Sequence, residues 1–355
     1  MIFKDKTILV TGGTGSLGKK LVHRLLTGEL GTPKKVIVLS RDEAKQHDMR
    51  MSYLNRRVTT DEVIFNNFVN VLEFRIGDVR SYEDVCSAIK GADIVVNAAA
   101  LKQVPTCEYF PVQAVLTNCM GASNIVRAIE EQGYPVDTVV GISTDKACKP
   151  VNVMGMTKAV QERVFVAANI LSPKTRFVCV RYGNVLASRG SVIPLFHDQI
   201  RSGGPVTITA PEMTRFLLSL DDAVDTVFAA AKEARRGETY IPRALSATVI
   251  NLVQALIGGR DISIKTVGIR PGEKMHEILI SEEEMHHCVR RGGYYAIQPM
   301  LPELRQSAAP EPNALEKEYS SGDEVLDLAG TTALLKKHRL MVEDADLGDR
   351  SELLR

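Results

Sequence analysis

Thr7-Ile8-Leu9-Val10, running into Thr11-Gly12-Gly13-Thr14-Gly15-Ser16-Leu17-Gly18, decides the fold of this chain. The first four residues read as a buried strand, and the pattern from Gly18 to Leu26 reads as a helix. Between them the glycines permit a tight turn and a close approach of backbone to ligand. The helix that follows offers unpaired N–H groups to a pyrophosphate. Strand, glycine turn and helix in that order, at the start of the chain, point to a dinucleotide cradle lined by Gly12, Thr14, Gly15, Ser16, Leu17 and Gly18.

Working outward, short apolar runs alternate with longer helical patterns. Residues 35–39, 71–75, 93–97, 137–142 and 175–180 read as further strands, and their near-continuous apolarity suits a parallel sheet covered on both faces. Helices are expected over 18–26, 112–131 and 157–169, so the fold class is α/β, a Rossmann-type doubly wound parallel sheet. The stretch 42–70 is longer than an ordinary connection and is read as a helix over 43–54 with a surface excursion behind it. The dinucleotide-binding domain is placed at 1–183. A smaller C-terminal α/β region for the substrate follows at 184–305, partly discontinuous and interleaved with the sheet. Pro, Ala, Glu and Ser dominate from Gln306, so 306–355 is read as an extended tail with a short helix near Thr331–Lys337 docking on a neighbour.

The formal net charge of +1 provides no electrostatic footprint for nucleic acid. Six scattered cysteines without CxxC spacing argue for reduced thiols, not a zinc site or a disulfide framework, and the histidines show no metal-ligand spacing, so no metal is expected. No signal-peptide pattern and no apolar run of membrane-spanning length is seen, which places the expected compartment in the cytoplasm.

Strand two ends in Ser40-Arg41-Asp42. Ser40 stands where a ribose-binding acid would select NAD, and the planar cation of Arg41 suits a 2′-phosphate, so NADP is expected over NAD; Asp42 remains within reach of a ribose hydroxyl. Asp78 and Val79, after strand three, suit an adenine edge, and Ala98, Ala99 and Ala100, after strand four, suit close packing on the cofactor. Ser143-Thr144-Asp145-Lys146 follows strand five and sets an acid beside an amine. Met154 and Lys158 are spaced like a Tyr-x-x-x-Lys pair on one helical face, but the tyrosine is absent.

Taken together these segments resemble the extended short-chain dehydrogenase/reductase superfamily as far as about Pro299. Within it the chain is similar to nucleotide-sugar 4,6-dehydratases of the polysaccharide-biosynthesis type that act on UDP-N-acetylglucosamine. The motifs that carry the likeness are 11–18, 40–43, 99–105, 143–147, 181–185, 188–192, 214–216 and the Arg270-Pro271-Gly272-Glu273-Lys274 segment. Most of the superfamily has a catalytic tyrosine at the place of Met154, and some members of this subgroup also carry methionine.

The resemblance implies transient oxidation at C4 by tightly bound, recycled NADP, loss of the C5 proton and the C6 hydroxyl, and return of the hydride to C6. Lys146 would be the C5 base if neutral, and Asp145 the acid for the C6 hydroxyl if burial raises its pKa. Lys158 would hold the nicotinamide ribose, Thr144 would hydrogen-bond the C4 oxygen, and Met154 would shape the pocket or simply pack. Asn118 and Tyr182 are expected at the cofactor. Asn184, Val185, Arg189, Arg215, Arg270 and Glu273 are expected on the nucleotide sugar, with Lys102 facing the sugar or the Asp145 region. A homo-oligomer, from dimer up to hexamer, is implied. Two rival readings are a nucleotide-sugar 4-epimerase, which would use the missing tyrosine as its base, and a catalytically dead NADP-binding protein.

Overall fold

The computed structural model describes residues 1–54, 62–186, 191–305 and 311–344. Six parallel strands, β1 (Thr7–Thr11), β2 (Lys35–Ser40), β3 (Leu72–Ile76), β4 (Ile94–Asn97), β5 (Thr138–Ile142) and β6 (Arg176–Val180), lie in the order β3-β2-β1-β4-β5-β6. The side chains of β1, β4 and β5 are buried along their whole length, as the unbroken apolar runs require of a sheet covered on both faces. Beyond β6 the sheet continues through Thr239–Pro242, parallel to β6, and an antiparallel hairpin of Tyr294–Ile297 and Cys288–Arg291. The chain thus passes back and forth between its main sheet and the second region.

Helices α1 (Ser16–Thr27), α2 (Glu43–Leu54), α3 (Glu62–Val71), α4 (Tyr82–Ile89), α5 (Val104–Tyr109), α6 (Pro111–Ala114), α7 (Gly121–Gln132) and α8 (Val153–Leu171) cover the two faces. One core layer joins α1 and α3 to the sheet through Leu21, Leu25, Ile64 and Phe68; the other joins α4, α7 and α8 through Val85, Ile125 and Phe165. The surface excursion expected behind α2 includes α3, because Ile64, Phe68 and Val71 recur at helical spacing and bury against this core. The ring of Phe68 stacks on Tyr53 of α2 at 5.2 Å. The helix expected over 112–131 forms, but with a π turn at Val115–Met120 between α6 and α7.

The smaller region is built on Asn184–Val185, Thr214–Leu218, Leu245–Thr248 and Val325–Leu326, with Val206–Ile208 paired to Ile264–Thr266. Residues 311–344 do not extend as a tail. Tyr319–Ser320 pairs with Ile278–Ile280, and Val325–Leu326 with Leu245–Thr248. The helix Leu328–Lys337 docks on Val249–Ile257 of the same chain, with Leu335 fully buried. Polar composition hid this segment: a few apolar residues, Leu326, Leu334 and Leu335, suffice to anchor it against a core formed elsewhere. Among the described residues no helix is long and apolar enough to cross a membrane.

Candidate active site

The carboxyl ends of β1 and β4, where the strand order reverses, open into one cleft of about 2090 Å³. Its floor at the glycine turn is set by contact distance. Gly12 has φ +66°, and a Cβ there would sit 2.7 Å from the Ala99 nitrogen; a Cβ on Gly18 would sit 2.5 Å from Gly13. Gly15 precedes α1 with no side-chain cap, which leaves the N–H groups of the first turn directed at the cleft. Thr14, Gly15, Ser16, Leu17, Ala98 and Ala100 line this part, a cradle that suits the pyrophosphate of a dinucleotide.

At the rim, the Ser40 and Thr14 hydroxyls are 2.9 Å apart. Arg41 lies half-exposed, 3.6 Å from the Asp78 carboxylate, which Arg80 also holds at 2.6 Å. Asp42 accepts the Lys45 backbone N–H and pairs with the Lys45 ammonium, so its carboxylate is committed to the start of α2. Val79 lines the same end. Asn118, expected at the cofactor, is instead fully buried behind the cleft wall. Its amide donates to the Leu101 carbonyl and the Thr157 hydroxyl and accepts the Leu101 N–H, fixing the loop after β4. Asn118 sits within the π turn at Val115–Met120.

On the opposite wall, Asp145–Ala147 forms a single 3-10 turn after β5. Asn152 caps α8 by accepting the Gly155 N–H at 2.8 Å. Gly155 is required because α8 abuts this turn: a Cβ would lie 2.1 Å from the Lys146 carbonyl oxygen. That contact brings Met154 and Lys158 beside Asp145 and Lys146, all of them lining the cleft. Met154 is buried among Cys107, Ala114, Leu101, Val104 and Val153. Lys158 donates to the Gln161 side chain at 2.5 Å, and burial pulls its pKa down to about 8.

Asp145 is fully buried. Its Oδ1 accepts from the Thr144 hydroxyl at 2.9 Å and the Lys146 ammonium at 3.0 Å, while Oδ2 has no partner among the described residues. The resemblance makes Lys146 the C5 base on condition that it is neutral, and its surroundings here favour the charged form. A second carboxylate, Glu277, stands 3.1 Å from the same ammonium. Burial alone would lower the Lys146 pKa, but Asp145 and Glu277 outweigh it and hold the amine above the ordinary lysine value. Sequence reading missed Glu277 altogether. The one available signal was its place three residues beyond Lys274, in the motif already singled out.

Tyr182, Asn184, Val185, Lys102, Arg215, Arg270 and Glu273 also line the cleft. Asn184 Oδ1 is buried without a partner among the described residues. Arg215 spends its guanidinium on the carbonyls of Thr214, Lys274 and Met275, so it braces the 274–277 segment. Arg270 is exposed, and its backbone N–H is held by Glu273 at 3.2 Å. Arg189 lies outside the described residues.

A sequence profile described as polysaccharide biosynthesis protein matches residues 8–299. The chain belongs to this polysaccharide biosynthesis protein family. A relative from Rickettsia prowazekii (strain Madrid E), named UDP-glucose 4-epimerase, is 44% identical over 301 residues, covering 83% of this chain and 84% of that one. The crystal structure of Pen from Bacillus thuringiensis superposes with a TM-score of 0.85 at 33% identity, covering 96% of this chain and all of that one (100%). At 23% identity, DesIV from Streptomyces venezuelae, a dTDP-glucose 4,6-dehydratase solved with NAD bound, superposes with a TM-score of 0.64 over 76% of this chain and 86% of that one, and so shares the fold. By its name the Rickettsia relative is a nucleotide-sugar-modifying enzyme, and the chain, matched to it over 83% of its length, is an enzyme of the same family.

Proposed function

We propose that this family member is a nucleotide-sugar 4,6-dehydratase that converts UDP-N-acetylglucosamine to a 4-keto-6-deoxy sugar with NADP, for surface glycan synthesis. The observation that carries the reading is the ion pair of buried Asp145 and half-buried Lys146 facing the cleft beside Met154. A nicotinamide bound in the cradle supplies removal of the C4 hydride and its return at C6. Oxidation at C4 makes the C5 proton acidic, because it then lies α to a ketone. The chain's residues divide the remaining work. The Lys146 amine takes the C5 proton, the Asp145 carboxyl protonates the departing C6 hydroxyl, and Thr144 hydrogen-bonds the C4 oxygen. Lys158 holds the ribose, and Lys102, Asn184, Arg270 and Glu273 clamp the nucleotide sugar.

A 4-epimerase is the second reading, supported by the name of the Rickettsia relative. That reaction has no use for an acid and an amine aimed at C6 and C5, and it needs a base at C4 where this chain has Met154. Incubation with UDP-N-acetylglucosamine and with UDP-glucose, followed by NMR of the products, decides. A 4-keto-6-deoxy product supports dehydration, a C4 epimer supports the second reading, and no turnover defeats both.

Arg41→Ala is expected to weaken NADP binding at least tenfold more than NAD binding, because the guanidinium can pair with a 2′-phosphate and has nothing equivalent to hold in NAD. Fluorescence titration with both cofactors checks this, and equal weakening would remove the basis for NADP preference. A homo-oligomer is expected as well. Val112, Val115, Leu116 and Met120 are exposed on the kinked helix, and Met156 and Val160 on α8, apolar side chains suited to a self-complementary helix pair. Light scattering of a Leu116→Glu variant should report a smaller particle than that of the unaltered chain.

A further inference from the structure

The chemistry proposed above needs both members of the Asp145–Lys146 pair free to accept a proton. The C4 hydroxyl and C5 each release a proton before the C6 hydroxyl and C5 each take one up. A phenol would hold one of these, and Met154 cannot. Lys146 is also unready as a base, since it rests as an ammonium between two carboxylates. We propose that Glu277 is the third proton-handling group of the site, accepting the ammonium proton of Lys146 and so freeing the amine for C5. It acts through Lys146 and not on the sugar, and the inference rests on the dehydratase reading.

The geometry is that of a built site. Glu277 is 2% exposed; its Oε1 lies 3.1 Å from the Lys146 ammonium, and its Oε2 is buried, without a partner among the described residues, on the wall of the cleft. The other charged groups facing Lys146 are Asp145 at 3.0 Å and Arg215, whose Nε stands 3.8 Å from Glu277; Lys274 acts on both carboxylates. Glu277 is held from the C-terminal segment: its N–H donates to the Ser321 hydroxyl at 2.9 Å, and the Ser321 N–H donates to its carbonyl at 2.8 Å. Residues 311–344 therefore complete the site.

The proton count closes. On C4 oxidation the hydroxyl proton passes through Thr144 to Asp145. An N–H bond of the Lys146 ammonium breaks and an O–H bond forms on Glu277. The freed lone pair bonds the C5 proton, and the C5–H pair passes into the C4–C5 enolate. That enolate expels the C6 hydroxyl, which Asp145 protonates to water. After C6 is reduced by the nicotinamide, Lys146 returns a proton to C5 and Glu277 returns its own to Lys146. Each group ends as it began.

The test compares the wild type, Glu277→Gln and Glu277→Asp with UDP-N-acetylglucosamine. The wild-type arm reports on the reaction alone: an epimer, or no product, would overturn the dehydratase reading and this inference with it. With that arm forming the 4-keto-6-deoxy sugar, Glu277→Gln is expected to make it about a hundredfold more slowly at neutral pH. C4 oxidation, followed as nicotinamide absorbance, should persist. The surviving rate should climb with pH where the wild type is level, and Glu277→Asp should recover most of the rate. Independently of turnover, NMR of ¹³C-labelled lysine should show Lys146 titrating at lower pH in Glu277→Gln. Wild-type turnover and pH profile in Glu277→Gln, loss of C4 oxidation along with product, or an unmoved Lys146 titration would each overturn the role.

Discussion

Replacing Lys146 with alanine should abolish both product formation and exchange of the C5 proton with deuterated solvent, while some oxidation at C4 survives. The side chain pairs directly with both buried carboxylates, and its loss removes the group that takes the C5 proton. A loss of at least about a hundredfold is expected from removal of a positioned general base. Asp145→Asn separates the steps that follow. The carboxamide keeps the shape but can neither take the C4 hydroxyl proton nor deliver one to the C6 hydroxyl, so oxidation should slow and, in the ketone that still forms, elimination should lag behind C5 exchange. Met154→Leu should be mild, because the side chain supplies packing among Cys107, Ala114 and Leu101 and no proton. Normal turnover in the Lys146 variant, or damage from Met154→Leu as severe as from Lys146→Ala, would show the roles to be misassigned.

Arg181→Ala should cost about 3–5 kcal/mol of stability, the range seen when one partner of a buried ion pair is removed. Arg181 is buried between two carboxylates. It reaches Glu162 at 2.6 and 3.0 Å and Glu284 at 2.7 and 2.9 Å, and donates to the Leu279 carbonyl. The Ser143 hydroxyl donates to the same Glu162. The cluster ties the end of β6 and α8 to the 278–284 segment that follows Glu277, so its loss strands two buried charges and loosens the site. It also sets an acid limit. Burial alone would raise the Glu284 pKa, but Arg181 pulls it down to about 2. A carboxylate depressed in the folded state adds stability above its unfolded value and loses it as pH falls through the folded value. Wild-type stability should therefore decline from about pH 4.5 towards pH 2. The Arg181→Ala variant should melt lower at neutral pH and lose the depressed Glu284 titration. Thermal melts from pH 7 to 2.5 measure both, and unchanged melting at neutral pH would refute the account.

The sequence by itself determined the first six strands of the sheet, the glycine cradle and the adjacency of Asp145 and Lys146. Each is a local pattern: unbroken apolar runs for covered strands, glycines where a Cβ would strike Ala99 or Gly13, and neighbours along the chain. The tertiary structure decided what those residues face. Glu277 reaches Lys146, Arg181 is sandwiched by Glu162 and Glu284, Asn118 turns from the cleft to the Leu101 loop, and the polar C-terminal segment folds back to clamp Glu277 through Ser321. None of these has a periodic or short-range signature. They join residues far apart in the chain, and a lone buried charge or hydroxyl reads in sequence like any surface one. Only the packing that removes water from around them makes their pairing obligatory, and with it the charge on Lys146.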